Sequence, residues 1–241
     1  MSNKLTISIL ALVASTGLAF AQGAGGRPHH RLGHLHRQAH VGQHVLDGLE
    51  RADGPAEGQH LARDLVGDGH KVFLDMKLLD IGNTVERATR AAAATGATFL
   101  TVHGHDTKTL RAAVAGRAGT GLKILAVTVL TSLDANDLAE QGIAASPQEL
   151  VVRRARLAQD AGCDGIVASG LEAAHIRAAV GPDAAGDQAR VSTPQSAIAA
   201  GADYLVVGRP ITAAGNPRQA AETFVVSIEE ALAMRALGPQ G

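Results

Sequence analysis

Tryptophan is absent from the chain, tyrosine occurs once and phenylalanine four times, so aromatics make up only 2% of the 241 residues. A core must therefore be built from Ala, Val, Leu and Ile, and with 46% hydrophobic residues there is enough material for a sizeable one. Cysteine occurs once, as Cys163, which excludes an internal disulfide. It sits in Ala161-Gly162-Cys163-Asp164-Gly165-Ile166, just before an expected strand, and reads as a small buried filler. An excess of one charge is also missing: 22 Lys+Arg stand against 23 Asp+Glu, so no basic face for nucleic acid is implied.

Long apolar runs are scarce, with one exception. Leu5 to Ala21 carries no charge, follows Lys4, and ends in Ala19-Phe20-Ala21, a small-x-small pattern. Residues 1–22 therefore read as a secretory signal-like leader, and the 17-residue run is short for a membrane span. A buried strand or helix is the competing reading of the same residues. Residues 23–60 form a His/Gly-rich low-complexity segment, expected to be poorly ordered, with His29, His30, His34, His36, His40, His44 and His60 among Gly, Arg and Gln. No cysteine accompanies these histidines and their spacing matches no zinc pattern, so no metal site is assigned.

The texture changes at about Leu61. Leu61 to Val66 reads as the end of a helix stopped by Gly67-Asp68-Gly69, and Val72 to Leu74 then begins a buried strand. That strand runs into three charged residues, Asp75, Lys77 and Asp80, before a helical pattern capped by Asn83 or Thr84. On an extended backbone Asp75 and Lys77 point to the same side, which lets Lys77 lie between Asp75 and Asp80. An ammonium flanked by carboxylates keeps its proton and can deliver it to a carbanion. A plain salt-bridge cluster at a strand end is the alternative.

Further strands are expected from Thr98, Ile124, Asp164 and Tyr204, each followed by a helix, which is the pattern of parallel βα units. Their carboxyl ends carry the remaining candidates. His103 can face a ligand or cap backbone. Thr131-Ser132 can donate to or accept from a substrate, or cap the next helix. Gly208-Arg209-Pro210 combines a glycine that admits close backbone approach with a bidentate fork for phosphate. Between Gly181 and Arg190 no strand is legible.

The run Phe73-Leu74-Asp75-Met76-Lys77-Leu78-Leu79-Asp80-Ile81-Gly82-Asn83-Thr84 closely resembles the Asp-x-Lys-x-x-Asp segment of the orotidine 5'-phosphate decarboxylase family. Leu125 to Ser132 and the Gly208-Arg209-Pro210 turn resemble that family's fifth strand and phosphate clamp, and Gly186-Asp187-Gln188 resembles its phosphate loop. The resemblance covers residues 61–241 and implies a TIM (β/α)8 barrel, here incomplete, with strands 1, 2 and 7 not legible. The family's ribose-binding aspartate and first network lysine have no counterpart in residues 1–60. The resemblance further implies cofactor-free decarboxylation of orotidine 5'-monophosphate to UMP in the cytoplasm. Lys77 would protonate C6, with Asp75 and Asp80 as the other catalytic residues. Thr84, Thr131, Gln188, Gly208 and Arg209 would bind substrate, with Asp80 and Thr84 reaching into the neighbouring subunit's site, so the resemblance implies a homodimer with shared active sites. The alternatives are a related phosphosugar lyase of the keto-gulonate-phosphate decarboxylase type, or an inactive or weakly phosphate-binding remnant.

Overall fold

A computed structural model describes residues 9–10, 55–181, 185–188 and 193–237. From its second described segment the chain alternates helix and strand: α1 (Pro55–Gly67), β2 (Phe73–Leu78), α2 (Gly82–Ala93), β3 (Phe99–His103), α3 (Thr107–Gly116) and β4 (Lys123–Val127). It continues through α4 (Ala135–Glu140), α5 (Pro147–Ala161), β5 (Gly165–Ala168), α6 (Ala173–Val180), β6 (Ala185–Gln188) and α7 (Pro194–Ala199). It closes with β7 (Leu205–Val206), α8 (Arg209–Thr212) and α9 (Pro217–Leu237). A two-residue strand, β1 (Ile9–Leu10), precedes them all.

Strands β2 to β6 form one sheet in sequence order, with every neighbouring pair parallel. Parallel strands joined by helices put all the carboxyl ends, and the loops that follow them, on one face. β7 pairs in parallel with β1 as a separate ribbon, Ile9 opposite Leu205 and Leu10 opposite Val206. The described residues form an incomplete (β/α)8 barrel. Among the described residues no strand pairs with the outer edge of β2.

Two expectations change here. The stretch after Gly181, where no strand was legible, contains β6, which pairs with β5 from Gly165–Ala185 to Ala168–Gln188. Ala185-Gly186-Asp187-Gln188 lacks the β-branched and apolar residues that advertise a strand, so the ladder and not propensity makes it one. Ile9 and Leu10, inside the signal-like run, stand beside β7, the place of a first barrel strand. Helix α1 runs from Pro55, and its Ala62 and Leu65 are buried against the core. The other residues of the leader and histidine tract lie outside the described residues, His60 and Pro55 to Gln59 excepted.

The core follows from the composition. Small and branched residues fill it, among them Val72, Leu100, Leu110, Ala113, Ile124, Ala126, Leu138, Val151 and Ala155, each 5% exposed or less. A second cluster under the last helices holds Ile198, Leu205, Ile211 and Ile228. Cys163 packs partly buried against the main core, and burial beside Asp164 pushes its thiol up to about 12, so it stays protonated and inert.

Local signals set the helix ends. Ser146 and Glu149 form a reciprocal capping box on α5, with Pro147 in the first turn and Gly162 in the left-handed conformation at the end. Asp106 caps α3, Thr193 caps α7, and Asn216 accepts the Gln219 N–H at the start of α9. Asn83 and Thr84 do not cap α2: Ile81 is its N-cap and supplies no side-chain bond. Nor do Thr131 or Ser132 cap α4, because Asp134, with Asp137 three residues on, makes the capping box there.

Helices α2 and α3 approach closely where Gly116 meets α2. A Cβ at Gly116 would come within 2.5 Å of the Glu86 carbonyl oxygen and 2.8 Å of the Thr89 Cβ, both on the helix body. Gly116→Ala is therefore expected to destabilise the fold by about 1–3 kcal/mol, the usual effect of overpacking, as read by urea unfolding.

Candidate functional site

The inner faces of β2 and β3 form three layers. At the bottom the rings of Phe73 and Phe99 lie 6.1 Å apart, and Tyr204, just before β7, meets Phe99 edge-on at 5.3 Å. Period-two alternation then stacks Thr101 and His103 above Phe99. This contact ties the start of β7 to the starts of β2 and β3 across the barrel.

The register breaks in the middle layer. Phe73 and Leu74 face Phe99 and Leu100, but the next matched pair is Leu78 with Val102, so Asp75, Met76 and Lys77 oppose the single residue Thr101. This is a bulge of two extra residues, a device common beside functional sites because it re-aims side chains. Lys77 takes up the irregularity with φ 45, the one non-glycine residue with positive φ among those described. Such a conformation costs a non-glycine residue roughly 1–3 kcal/mol and persists only where its surroundings hold it. Asp75 and Lys77 thus do share a side, but a bulge brings them together and not an extended strand.

Thr101 is the piece that sequence reasoning missed. Its hydroxyl donates to Asp75 Oδ1 at 2.6 Å and accepts the Lys77 backbone N–H at 3.0 Å. The other carboxylate oxygen, Asp75 Oδ2, takes the Lys77 ammonium. The Asp75 side chain is 13% exposed and that of Lys77 39%, so the carboxylate lies under and the ammonium reaches the open face. A signal existed: Phe99-x-Thr101-x-His103 is an inner-face alternation, and a hydroxyl in it needs a partner.

His103 borders this pair. Its ring stands 4.7 Å from that of His105, and its pKa falls to about 4, chiefly through burial, then through the positive charges of His105, Lys77 and Arg154, with Asp75 opposing. His105 is lowered too, by burial first and then by Arg154. Arg154 is buried on α5 and donates to the Thr128 carbonyl at 2.5 Å, anchoring the end of β4. Nothing in the sequence distinguishes it from its neighbour Arg153.

The remaining candidates are dispersed along the same face. The expectation that Lys77 lies between two carboxylates of its own chain fails. Asp80 is exposed and accepts the Ile81 N–H at 2.6 Å, a local loop bond that uses one of its oxygens at the entrance to α2. Thr84 is exposed on the first turn of α2, beside it. Thr131 is half-buried in the loop after β4. Gln188 ends β6, and its side chain lies outside the described residues. Gly208 is the N-cap of α8, and Arg209, exposed, is the first residue of that helix. Among the described residues Arg209 has no ion pair, and no group of three or more His, Cys, Asp or Glu could hold a metal.

Sequence comparison matches residues 53–224 to the family described as "Orotidine 5'-phosphate decarboxylase / HUMPS family". The orotidine 5'-phosphate decarboxylase of Afipia carboxidovorans is 54% identical over 186 residues, covering 72% of this chain and 79% of that protein. The protein of the same name from Methylorubrum extorquens is 52% identical over 189 residues, covering 73% and 81%. Among solved structures, orotidine 5'-phosphate decarboxylase from Lactobacillus acidophilus superposes with a TM-score of 0.70 at 29% identity, over 92% of this chain and 99% of that one. An uncharacterized conserved protein from Geobacillus kaustophilus superposes at 0.65 with 35% identity, over 72% and 83%.

A depressed His103 gives a signed expectation. In the unfolded chain the imidazole regains its ordinary value and binds a proton more readily than in the fold, so stability falls as pH drops from about 6.5 towards 4. Imidazole resonances followed by NMR should show His103 neutral at pH 6, and His103→Phe should flatten the acid limb of the stability curve between those values.

Proposed function

The chain belongs to the orotidine 5'-phosphate decarboxylase / HUMPS family, and on that premise we propose how its own residues carry out the decarboxylation of orotidine 5'-monophosphate to UMP. The observation that carries the reading is the Asp75–Lys77 ion pair raised on a bulge at the carboxyl end of the barrel, inside the matched residues. The phosphosugar-lyase alternative has no such relative among those described above.

In the reaction the bond between C6 and the carboxylate carbon breaks, carbon dioxide leaves, and the electron pair stays on C6. Lys77 supplies the proton that C6 then takes. The ammonium is already oriented by Asp75, so little reorganisation is needed when charge develops, which is where fixed charges act most strongly. Asp75, paired with that ammonium, would face the departing carboxylate and favour its loss. No cofactor enters.

Substrate binding falls to residues on the loops of the same face. Arg209, with the Gly208 backbone and Gln188, would hold the phosphate, and Thr131 would meet the base or sugar edge. Phosphate sites after the seventh and eighth strands suit this architecture. Binding energy collected there lowers the barrier at C6, remote from it.

The other carboxylate for Lys77 comes, in this reading, from a second copy. Asp80 and Thr84 face outward at a lip where Met76 is 44%, Leu79 49% and Ile81 78% exposed. Adjacent exposed apolar residues mark an interaction surface. A homodimer covering this lip would bring each Asp80 and Thr84 to its partner's site. The place of work would be the cytoplasm, where the pyrimidine nucleotide is made; no helix among the described residues is long and apolar enough to cross a membrane.

Loss of orotidylate absorbance tests the reading. Lys77→Ala should lower kcat by at least about 10³-fold, since a charged group in a preorganised network is lost. Arg209→Ala should act mainly on KM, and a chain in which wild type shows no turnover while folded and dimeric sinks the assignment. Ile81→Asp should shift the dimer to monomer by analytical ultracentrifugation and lower kcat with it.

A further inference from the structure

We propose that Thr101 is a positioning residue of the reaction: its hydroxyl sets both the carboxylate plane of Asp75 and the backbone of Lys77. This rests on the decarboxylase reading above and adds a residue to its machinery. Thr101 is 1% exposed and touches the substrate side only through others, so it acts by holding the two charged groups.

A hydroxyl has one proton to give and lone pairs to receive with, and here both are used. The proton goes to Asp75 Oδ1 at 2.6 Å, which turns Oδ2 towards the Lys77 ammonium. The lone pair takes the Lys77 N–H at 3.0 Å. That N–H sits in the bulge, where the β3 backbone offers it no regular ladder partner: the matched pairs pass from Leu74–Leu100 directly to Leu78–Val102. One side chain therefore satisfies a donor that the bulge orphaned and locks the acid that pairs with the same residue. The positive φ of Lys77 is held from the backbone side by this bond and from the side-chain side by Asp75.

The geometry separates Thr101 from a filler. Valine has nearly the same shape and can make neither bond. Serine keeps the hydroxyl and drops the methyl group. Thr101→Val should lower kcat by about 10²-fold with KM within about threefold, because a misplaced acid–ammonium pair costs rate more than phosphate-anchored binding. Thr101→Ser should recover kcat to within about fivefold of wild type, as both hydrogen bonds are retained.

An activity-free arm runs beside the kinetics. Amide hydrogen exchange in the full-length chain should show the Lys77 N–H exchanging about tenfold faster or more in Thr101→Val, with Thr101→Ser at the wild-type rate, since only the valine variant lacks an acceptor. Equal impairment of both variants would mean that the methyl packing matters and the hydroxyl does not, and would overturn the proposal. So would a valine variant with wild-type kcat and wild-type Lys77 exchange. Should wild type itself fail to turn over orotidylate, the decarboxylase reading falls, and the exchange arm alone still decides whether Thr101 holds Lys77.

Discussion

Everything at the site depends on a mismatch between two neighbouring strands. Three residues of β2 stand against one residue of β3, and the surplus lifts Asp75 and Lys77 into the barrel mouth together. A regular ladder would space them one pleat apart and give each backbone donor a carbonyl. The bulge gives up that regularity and needs a substitute acceptor, which the Thr101 hydroxyl supplies. Below it, the Phe73–Phe99–Tyr204 contact holds the start of the strands rigid, so the irregular turn rests on a firm base. Strain at Lys77, a buried hydroxyl and an aromatic floor are thus parts of one arrangement.

Electrostatics at the mouth follow from the same placement. With Lys77 and Arg154 both near, a protonated His103 would add a third positive charge to a half-buried site, and its lowered pKa removes it. The Lys77 side chain is more exposed than the Asp75 carboxylate with which it pairs.

In the proposed dimer a second chain would complete the site. Asp80 turns to its own loop, and the residues around it, Met76, Leu79 and Ile81, present apolar surface to solvent. Apolar groups beside a loop carboxylate are a costly thing to leave exposed, which is why the proposed dimer and the proposed second carboxylate are a single hypothesis: covering the lip and completing the charge network require the same contact. The short strand β6 shows the same economy at the level of the barrel: it lacks the composition of a strand core, yet it is paired with β5, which has it.

Much was determined by the sequence alone. The Asp75/Lys77/Asp80 spacing, the apolar run before it, and the strand–helix alternation are local patterns, and local patterns specify local structure: the Ser146–Glu149 box and the Gly162 stop bound α5 at its two ends. What only the tertiary structure decided are relations between segments far apart in the chain. Thr101 is 26 residues from Asp75, and no spacing rule connects them; the register of two strands does. The bulge, the strand at Ala185–Gln188 and the outward turn of Asp80 are likewise set by hydrogen-bond partners that a neighbouring strand or loop supplies. A side chain's type is written in the sequence, but whether its donor or acceptor is met depends on what folds against it.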